Sequence, residues 1–103
     1  MKIERRVVVA NISGLHARPA AQFVTMASSF TSSIQVANLT TQSEFVDAKS
    51  ILSVLALGAE QGHKILLQAD GPDAEKAMRA MVQLVRRQLI KYDVAGAGGK
   101  ADG

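Results

Sequence analysis

One stretch of the sequence, residues 12–24, combines a nucleophile with an anion-binding signal. A turn glycine precedes His16, which is followed by Arg18, Pro19 and apolar residues at helical spacing. This order places the imidazole at the N-terminus of a helix, where unpaired N–H groups and the positive end of the helix dipole favour an anion. Arg18 adds a planar fork of donors that matches phosphate oxygens. The spacing therefore predicts a histidine nucleophile beside a phosphate-sized anion site.

A histidine suits a group that must be accepted and then passed on. Neutral imidazole is a competent nucleophile near pH 7, and a phosphorus–nitrogen bond stays labile, whereas a serine ester would be too stable to transfer readily. The sequence contains no P-loop, no second phosphate-binding lysine and no acidic pair for Mg²⁺. We therefore expect that this chain is not an enzyme and needs no cofactor. It should instead be a macromolecular substrate on which other proteins act.

The composition sets limits on the class of protein. With 103 residues, 48% of them hydrophobic and 4% aromatic, the chain can form one domain with an aliphatic core. It has no cysteine, so disulfides and thiolate metal sites are excluded. The N-terminus is charged, and no run of apolar residues is long enough to cross a membrane. These features predict a soluble cytoplasmic protein.

The net charge of +3 is spread along the chain. The only adjacent basic pairs are Arg5-Arg6 and Arg86-Arg87, and no aromatic residue interleaves with either. Nucleic-acid binding is therefore weakly supported, and solvated surfaces are the better interpretation. The second histidine, His63, is far in sequence from other ligand types, so we expect it to be structural or solvated and expect no metal site.

Hydrophobic periodicity predicts a β-α-β-β-α-β-α order. The expected strands are 3–10, 33–39, 43–46 and 64–69, and the expected helices are 17–29, 47–57 and 73–91. Helices are too few to cover both faces of a sheet, which favours a two-layer α+β sandwich with an antiparallel sheet. Periodicity leaves the strand order open, and a ferredoxin-like order would also satisfy it. The domain should span residues 1–92, followed by a Gly-rich disordered tail at 93–103.

Two local details of the helices matter for the site. Pro19 suits a first helical turn but disfavours helical geometry at Arg18, so the first helix should begin irregularly at the histidine. The helix over 47–57 could be capped by Asp47 or by Ser50. Its apolar side should contain the following residues: Ala48, Ile51, Leu52 and Leu55.

The string Gly14-Leu15-His16-Ala17-Arg18-Pro19-Ala20 resembles the active-site signature of HPr, the histidine phosphocarrier of the bacterial phosphotransferase system. A second match lies at Lys49-Ser50-Ile51-Leu52, where that family carries its regulatory-serine segment. The order and lengths of the elements also agree, so the resemblance covers about residues 1–91. Two features depart from the usual pattern: the connection 38–44 is a few residues longer, and the tail is extra.

The resemblance implies an open-faced β-sandwich, with an antiparallel sheet in the order 1-4-2-3 and three helices on one face. It also implies that the phosphoenolpyruvate-dependent Enzyme I phosphorylates His16 on Nδ1, and that His16 passes the phosphoryl group to an Enzyme IIA-type acceptor. Arg18 would assist at the phosphate. Ser50 matches the residue that the HPr kinase/phosphorylase modifies in organisms that have one, although a plain helix-capping role explains a serine there equally well.

Partners must reach His16, so apolar side chains near it should be exposed. The candidates for such a docking rim are Ala20, Ala21, Val24, Ile51 and Leu52. Val24 and Ile51 could equally belong to the core, and Leu55 should belong to it. Since the active face must be free for successive partners, we expect a monomer.

Three other functions remain as alternatives. A regulatory or nitrogen-branch paralogue would use the same histidine, but its phosphorylation state would report metabolic status. A small ligand-binding or scaffold domain would form no phosphohistidine and would leave Arg18-Pro19 unexplained. A nucleic-acid binder would need a clustered basic face and a steep salt dependence of binding.

Overall fold

The computed structural model describes residues 1–88, so the predicted tail at 93–103 and the domain boundary at 92 lie outside the described residues. The strands are β1 (Lys2–Val8), β2 (Ser33–Asn38), β3 (Val46–Asp47) and β4 (Lys64–Asp70). The helices are α1 (Ala17–Ser28), α2 (Ile51–Ala56) and α3 (Ala74–Gln83), and a π-helical turn, Leu84–Gln88, follows α3.

The four strands form one antiparallel sheet in the order β1-β4-β2-β3. β4 lies in the middle of the sheet and pairs along its whole length with β1, from Lys2 opposite Asp70 to Val8 opposite Lys64. Alternate residues of β4 are buried, because one face of the sheet packs against the helices and the other remains open. The predicted α+β class and the order implied by the resemblance to HPr are confirmed.

The core between the sheet and the helices is almost entirely aliphatic. Phe23 of α1 is its one buried aromatic residue within the described part of the chain, and it is surrounded by branched side chains and methionines. Burying each such side chain contributes about 1.5–3 kcal/mol relative to exposure. The largest fully buried residues are Phe23, Leu15, Ile34, Ile65, Leu67 and Met81. Leu15 directly precedes His16, so the core anchors the loop that carries the histidine.

Several element boundaries differ from the sequence-based expectation. β1 ends at Val8 and not at residue 10, and α2 begins at Ile51, after its Ser50 cap, and not at residue 47. β3 begins at Val46 and not at residue 43, because Ser43 bonds back to the end of β2: its amide donates to the Asn38 carbonyl, and its hydroxyl accepts from the Asn38 amide. The last helix widens into the π-helical turn after Gln83, which keeps Leu84 and Val85 buried. The end predicted for that helix, residue 91, lies outside the described residues.

The connection after β2 is organised by one buried amide. The side chain of Asn38 is fully buried, and its Oδ1 accepts from the amides of Thr40 and Thr41 at 3.0 and 3.3 Å. Its Nδ2 lies 3.0 Å from Nδ1 of His63. Because buried polar groups must be paired, this network explains how the longer connection can be accommodated beside β4.

The carboxylate of Asp73 joins the start of α3 to the connection between α1 and β2. It accepts hydrogen bonds from the amides of Thr31 and Ser32, at 3.0 and 2.9 Å, and a further one from the Ser32 hydroxyl. That hydroxyl, followed by the Thr31 amide, holds the pKa of Asp73 well below its ordinary value of about 3.8. The charged form of Asp73 therefore stabilises the folded chain.

We expect the variant Asp73→Asn to be less stable than the unaltered protein, by a difference that depends on pH. Because the pKa is lower in the folded state, the contribution is fully present above the unfolded pKa of about 4 and is lost as the pH falls below it. Urea unfolding from neutral pH to about pH 2 should show the two stabilities converging at low pH. Asp70→Asn serves as the control, since Asp70 makes only an exposed 3.6 Å ion pair with the N-terminus. A difference for Asp73→Asn that stays constant with pH would contradict the prediction.

Candidate functional site

The loop before α1 is tightly held at both ends. The Asn11 side-chain amide donates to the Gly14 carbonyl at 2.9 Å, and the Gly14 amide donates back to the Asn11 carbonyl at 3.2 Å. The amide of Leu15 donates to the Ala59 carbonyl at 2.8 Å, which ties the loop to the turn between α2 and β4. His16 thus extends from a fixed backbone.

His16 is the N-cap residue of α1 and has an extended backbone conformation, with φ −129° and ψ 160°. Its half-buried side chain makes no capping hydrogen bond to the helix. The next residue, Ala17, has φ +49°, a left-handed conformation that costs a non-glycine residue about 1–2 kcal/mol. The predicted irregular start of the helix at the histidine is therefore confirmed.

The first turn of α1 can bind an anion. The first amides of a helix have no intrahelical acceptor, and Pro19 contributes no N–H at all. The amides of Ala17 and Arg18 are therefore the donors nearest to the imidazole along the chain. Arg18 is exposed, and it lines a shallow groove of about 390 Å³ along α1 with Ala21, Met26 and Leu84. The site thus combines a nucleophile, two backbone donors and a cationic side chain within three successive residues.

Of the docking residues predicted on α1, one is misplaced. Ala20 is fully buried under the helix, so it cannot contact a partner, and that prediction is wrong. Ala21 is exposed. Val24 is half-buried and packs against the core, which is one of the two positions that the sequence left open for it.

Of the residues predicted on the apolar side of α2, Ala48 precedes the helix and is buried, and the other three are exposed, as a docking rim requires of Ile51 and Leu52. The helix is anchored by Val54 and, just after its end, by Leu57, both buried. Ile51, Leu52 and Leu55 are 39%, 77% and 37% exposed. The prediction that Leu55 belongs to the core is therefore wrong. We call these three residues of α2 together with Ala21 of α1 the apolar rim; the two helices that carry them pack against each other.

A further exposed apolar residue was missed by the sequence analysis. Ile12 lies in the loop that carries His16 and is 79% exposed. Hydrophobic periodicity offers no signal for such a residue, because a loop has no repeating face. The sequence did offer one hint of this exposure: Ile12 is an apolar, branched residue within the otherwise polar turn Asn11–Gly14.

Ser50 is the N-cap of α2, and its hydroxyl accepts a hydrogen bond from the Ser53 amide at 3.3 Å. The alternative cap, Asp47, instead accepts from the amide of Lys49 at 2.9 Å. The Lys49 ammonium donates to the Phe30 carbonyl at 2.7 Å, just beyond the end of α1. This contact fixes the start of α2 relative to α1 and places Ser50 next to Ile51 and Leu52 of the apolar rim.

His63 is a structural histidine. Its Nδ1 accepts from the Glu60 amide at 3.1 Å and from the Asn38 side-chain amide at 3.0 Å. The orientation of the Asn38 amide is fixed because its oxygen already accepts from the amides of Thr40 and Thr41. The proton of neutral His63 is therefore on Nε2, and neither nitrogen offers a free lone pair.

The described residues, 1–88, show neither a metal centre nor a membrane-spanning helix. They contain no group of three or more His, Asp or Glu side chains placed to hold a metal ion. None of the helices described there is long and apolar enough to cross a membrane.

Comparison with known proteins agrees with this fold. Residues 3–87 match the family model "PTS HPr component phosphorylation site". The phosphocarrier protein HPr of Cupriavidus necator is 37% identical over 87 residues, covering 84% of this chain and 94% of that protein. The crystal structure of HPr-C-His from Thermoanaerobacter tengcongensis superposes with a TM-score of 0.79 at 41% identity, covering 84% of this chain and 94% of the other. The chain belongs to the HPr family of phosphocarrier proteins.

Similar sequences also occur inside much larger proteins. The multiphosphoryl transfer protein of Haemophilus influenzae is 42% identical over 81 residues, which cover 79% of this chain. This chain spans only 16% of the length of that relative. The similarity therefore concerns one part of the larger protein.

Proposed function

We propose that this chain carries a phosphoryl group on Nδ1 of His16, accepting it from phospho-Enzyme I and passing it to Enzyme IIA-type acceptors. The observation that supports this most directly is the position of His16. Its imidazole lies at the extended N-cap of α1, without a capping bond to the helix, directly before the amides of Ala17 and Arg18. A nucleophile and the donors for the group it receives are thus adjacent.

In each transfer one phosphorus–nitrogen bond forms as another breaks. The lone pair of neutral Nδ1 attacks the phosphorus of the donor's phosphohistidine, and the electron pair of the broken bond returns to the donor imidazole. The negative charge of the phosphoryl oxygens falls near the N-terminus of α1, where the helix dipole and the first amides stabilise it. The Arg18 guanidinium adds charge-assisted hydrogen bonds. Phosphoryl transfer depends mainly on such positioning and electrostatics.

The strength of this anion site must be limited. Donors that bound the phosphorylated state very tightly would lower its transfer potential, because stabilising a ground state does not help the next step. One exposed arginine and two backbone amides form a moderate site. In this proposal the chain is no enzyme and needs no cofactor. It is a substrate of Enzyme I and a donor to the next protein.

The apolar rim is the proposed docking surface for these partners. Ile51, Leu52 and Leu55 expose apolar area on α2, and Ala21 is exposed on α1, in the groove that Arg18 also lines. Exposed apolar clusters with polar surroundings are typical of interaction sites. The same surface must bind Enzyme I and then the acceptor in turn, so we propose that the chain acts as a monomer in the cytoplasm.

The proposal can be tested with the purified protein, phosphoenolpyruvate, Mg²⁺ and Enzyme I. Intact mass should increase by one phosphoryl group, and the added group should be labile in acid and stable in alkali, as expected for phosphohistidine. Subsequent addition of an Enzyme IIA domain should remove it. No mass gain with the cognate Enzyme I would refute the relay and favour a binding module.

Ser50 is the proposed regulatory site, a target for the HPr kinase/phosphorylase. A phosphate there would meet the N-terminus of α2 and lie next to the apolar rim, where its charge would disfavour docking. Incubation with that kinase and ATP should add one acid-stable phosphate, which Ser50→Ala should abolish.

Mimicking this charge should slow the relay without unfolding the chain. In Ser50→Asp the carboxylate is as good an N-cap as the hydroxyl, so the free energy of unfolding should change by less than about 0.5 kcal/mol. Its charge beside Ile51 and Leu52 should lower the rate of His16 phosphorylation by about tenfold. Ser53→Asp, one turn into the same helix, is the control for charge on α2. An unchanged rate for Ser50→Asp would remove the basis of the regulatory proposal.

A further inference from the structure

A cationic groove lies on a part of the molecule that the relay does not use. It has a volume of about 470 Å³ and runs between β1 and α3. Four arginines line it, Arg5 and Arg6 from β1 and Arg79 and Arg86 from α3 and the turn after it, whereas Glu75 is its single acidic residue. None of the four forms an ion pair within the described part of the chain. The groove shares no residue with the loop of His16 or with the apolar rim.

The fold assembles this charge from distant parts of the sequence. The pairs Arg5-Arg6 and Arg86-Arg87 are separately typical of solvated surface, but the structure places three of these arginines around one groove. The floor between the charges is apolar and consists of Ile3, Met78 and Val82. A site with an apolar floor and cationic walls selects a ligand with both characters.

β1 is an edge strand, because β4 is its only neighbour in the sheet. Alternate N–H and C=O groups of β1 therefore point away from β4, where an added strand could pair with them. Arg5 and Arg6 are consecutive in the strand, so their side chains leave it on opposite faces. A ligand that reaches both must run along the open edge.

The spacing of Arg79 on α3 and Arg86 in the π-helical turn after it suits an extended chain. Arg79 and Arg86 are seven residues apart, which corresponds to about 10 Å along a helix. Side chains on one face of an extended strand recur about every 7 Å, so a peptide along β1 could present two or three carboxylates to them. A compact anion would reach only part of this row.

We propose that this groove binds an acidic peptide segment of a partner protein, which adds to β1 as a further strand. Its carboxylates, which lie on the face of the strand directed at α3, pair with Arg5, Arg79 and Arg86, and the methylene groups of these acidic side chains pack on the floor. Like charges at this edge disfavour the pairing of β1 with a second copy of itself, so the same arginines both protect the edge and select the partner. The absence of aromatic residues among those lining the groove disfavours single-stranded nucleic acid, which binds by base stacking.

The test uses the full chain and a fluorescent peptide in which glutamate alternates with leucine and threonine. Fluorescence anisotropy should show binding that weakens with salt, and no binding of the same peptide with lysine in place of glutamate. Amide hydrogen exchange should show protection of alternate residues in Lys2–Val8 on peptide addition. A single-stranded DNA oligonucleotide should bind much more weakly than the peptide.

Charge-reversed variants distinguish binding in the groove from non-specific attraction between the peptide and the positively charged protein. The double variant Arg79→Glu with Arg86→Glu should bind the acidic peptide at least about tenfold more weakly. Lys76→Glu, an exposed change on α3 outside the groove, should change the affinity less than about twofold. All variants should still be phosphorylated on His16, which keeps this test independent of the relay. Equal losses for Lys76→Glu and the double variant, equal affinity for DNA, or protection confined to the His16 loop would each overturn the proposal.

Discussion

The variant His16→Ala should accept no acid-labile phosphoryl group from Enzyme I, while His63→Gln should be phosphorylated as the unaltered protein is. The loss for His16→Ala should be complete, because no other side chain at the N-terminus of α1 is a nucleophile that forms a labile bond. Its fold should be intact. The His16 side chain makes no capping hydrogen bond, so its removal should change the free energy of unfolding by less than about 0.5 kcal/mol.

His63 is the appropriate control because the chain contains two histidines and the structure gives them opposite environments. Nδ1 of His63 is occupied by two donors, the amide of Glu60 and the side chain of Asn38. A glutamine in its place would keep an acceptor in this region but not the ring geometry, so His63→Gln should lower the free energy of unfolding by about 1–2 kcal/mol. Intact mass and urea unfolding on both variants provide the two measurements. If His16→Ala still gained an acid-labile phosphate, a residue other than His16 would carry the phosphoryl group.

The order of elements and the position of His16 were predictable because their signals are local. A histidine followed by Arg18-Pro19 and a 3.6-residue apolar period identifies a helix start without any knowledge of the fold. The sequence similarly predicted a strand at 64–69, and the structure has it as β4, Lys64–Asp70. The strand order is non-local, and only the resemblance to HPr supplied it. Hydrophobic periodicity cannot distinguish between orders that bury the same faces.

The exposure of Leu55 on α2 was mispredicted for a physical reason. The six residues of α2 make fewer than two turns, and apolar side chains occur almost all round it. Periodicity then cannot identify the buried face, and packing decides. Val54 and Leu57 fill the core, which leaves Ile51, Leu52 and Leu55 outside. An apolar surplus on so short a helix is itself a sign that one side meets a partner.

The arginine groove was likewise beyond sequence reasoning. Arg5 and Arg79 are adjacent to the same cavity but 74 positions apart in the sequence. The one local hint was that Arg5 interrupts the apolar face that Ile3 and Val7 form on β1. An edge strand tolerates this interruption, because the side chain can leave the core at the open edge.

At Gly14 a single added methyl group should harm both the stability of the fold and the rate of the relay. Gly14 has φ +63°, and a Cβ placed on it would lie 2.5 Å from the Ala59 carbonyl oxygen and 2.8 Å from the Cα of Glu60. Both are backbone atoms, so the clash can be relieved only by moving a segment. We expect Gly14→Ala to lower the free energy of unfolding by about 2–4 kcal/mol, the sum of left-handed strain and overpacking. For a domain of this size, that corresponds to a fall in Tm of about 10–25 °C.

Gly58 is a closely matched control, because it has the same φ of +63° but no atom within 4 Å of the added Cβ. In Gly58→Ala the free energy of unfolding should therefore fall only by the cost of left-handed strain, about 1–2 kcal/mol. The difference between the two variants isolates the contact between the His16 loop and the turn at Ala59. This contact includes the 2.8 Å bond from the Leu15 amide, so its displacement should move His16 relative to the apolar rim. At a temperature where both variants are folded, Gly14→Ala should therefore be phosphorylated at least about tenfold more slowly than Gly58→Ala. Equal losses of stability and rate in the two would mean that the loop tolerates the displacement and that this close contact does not position the histidine.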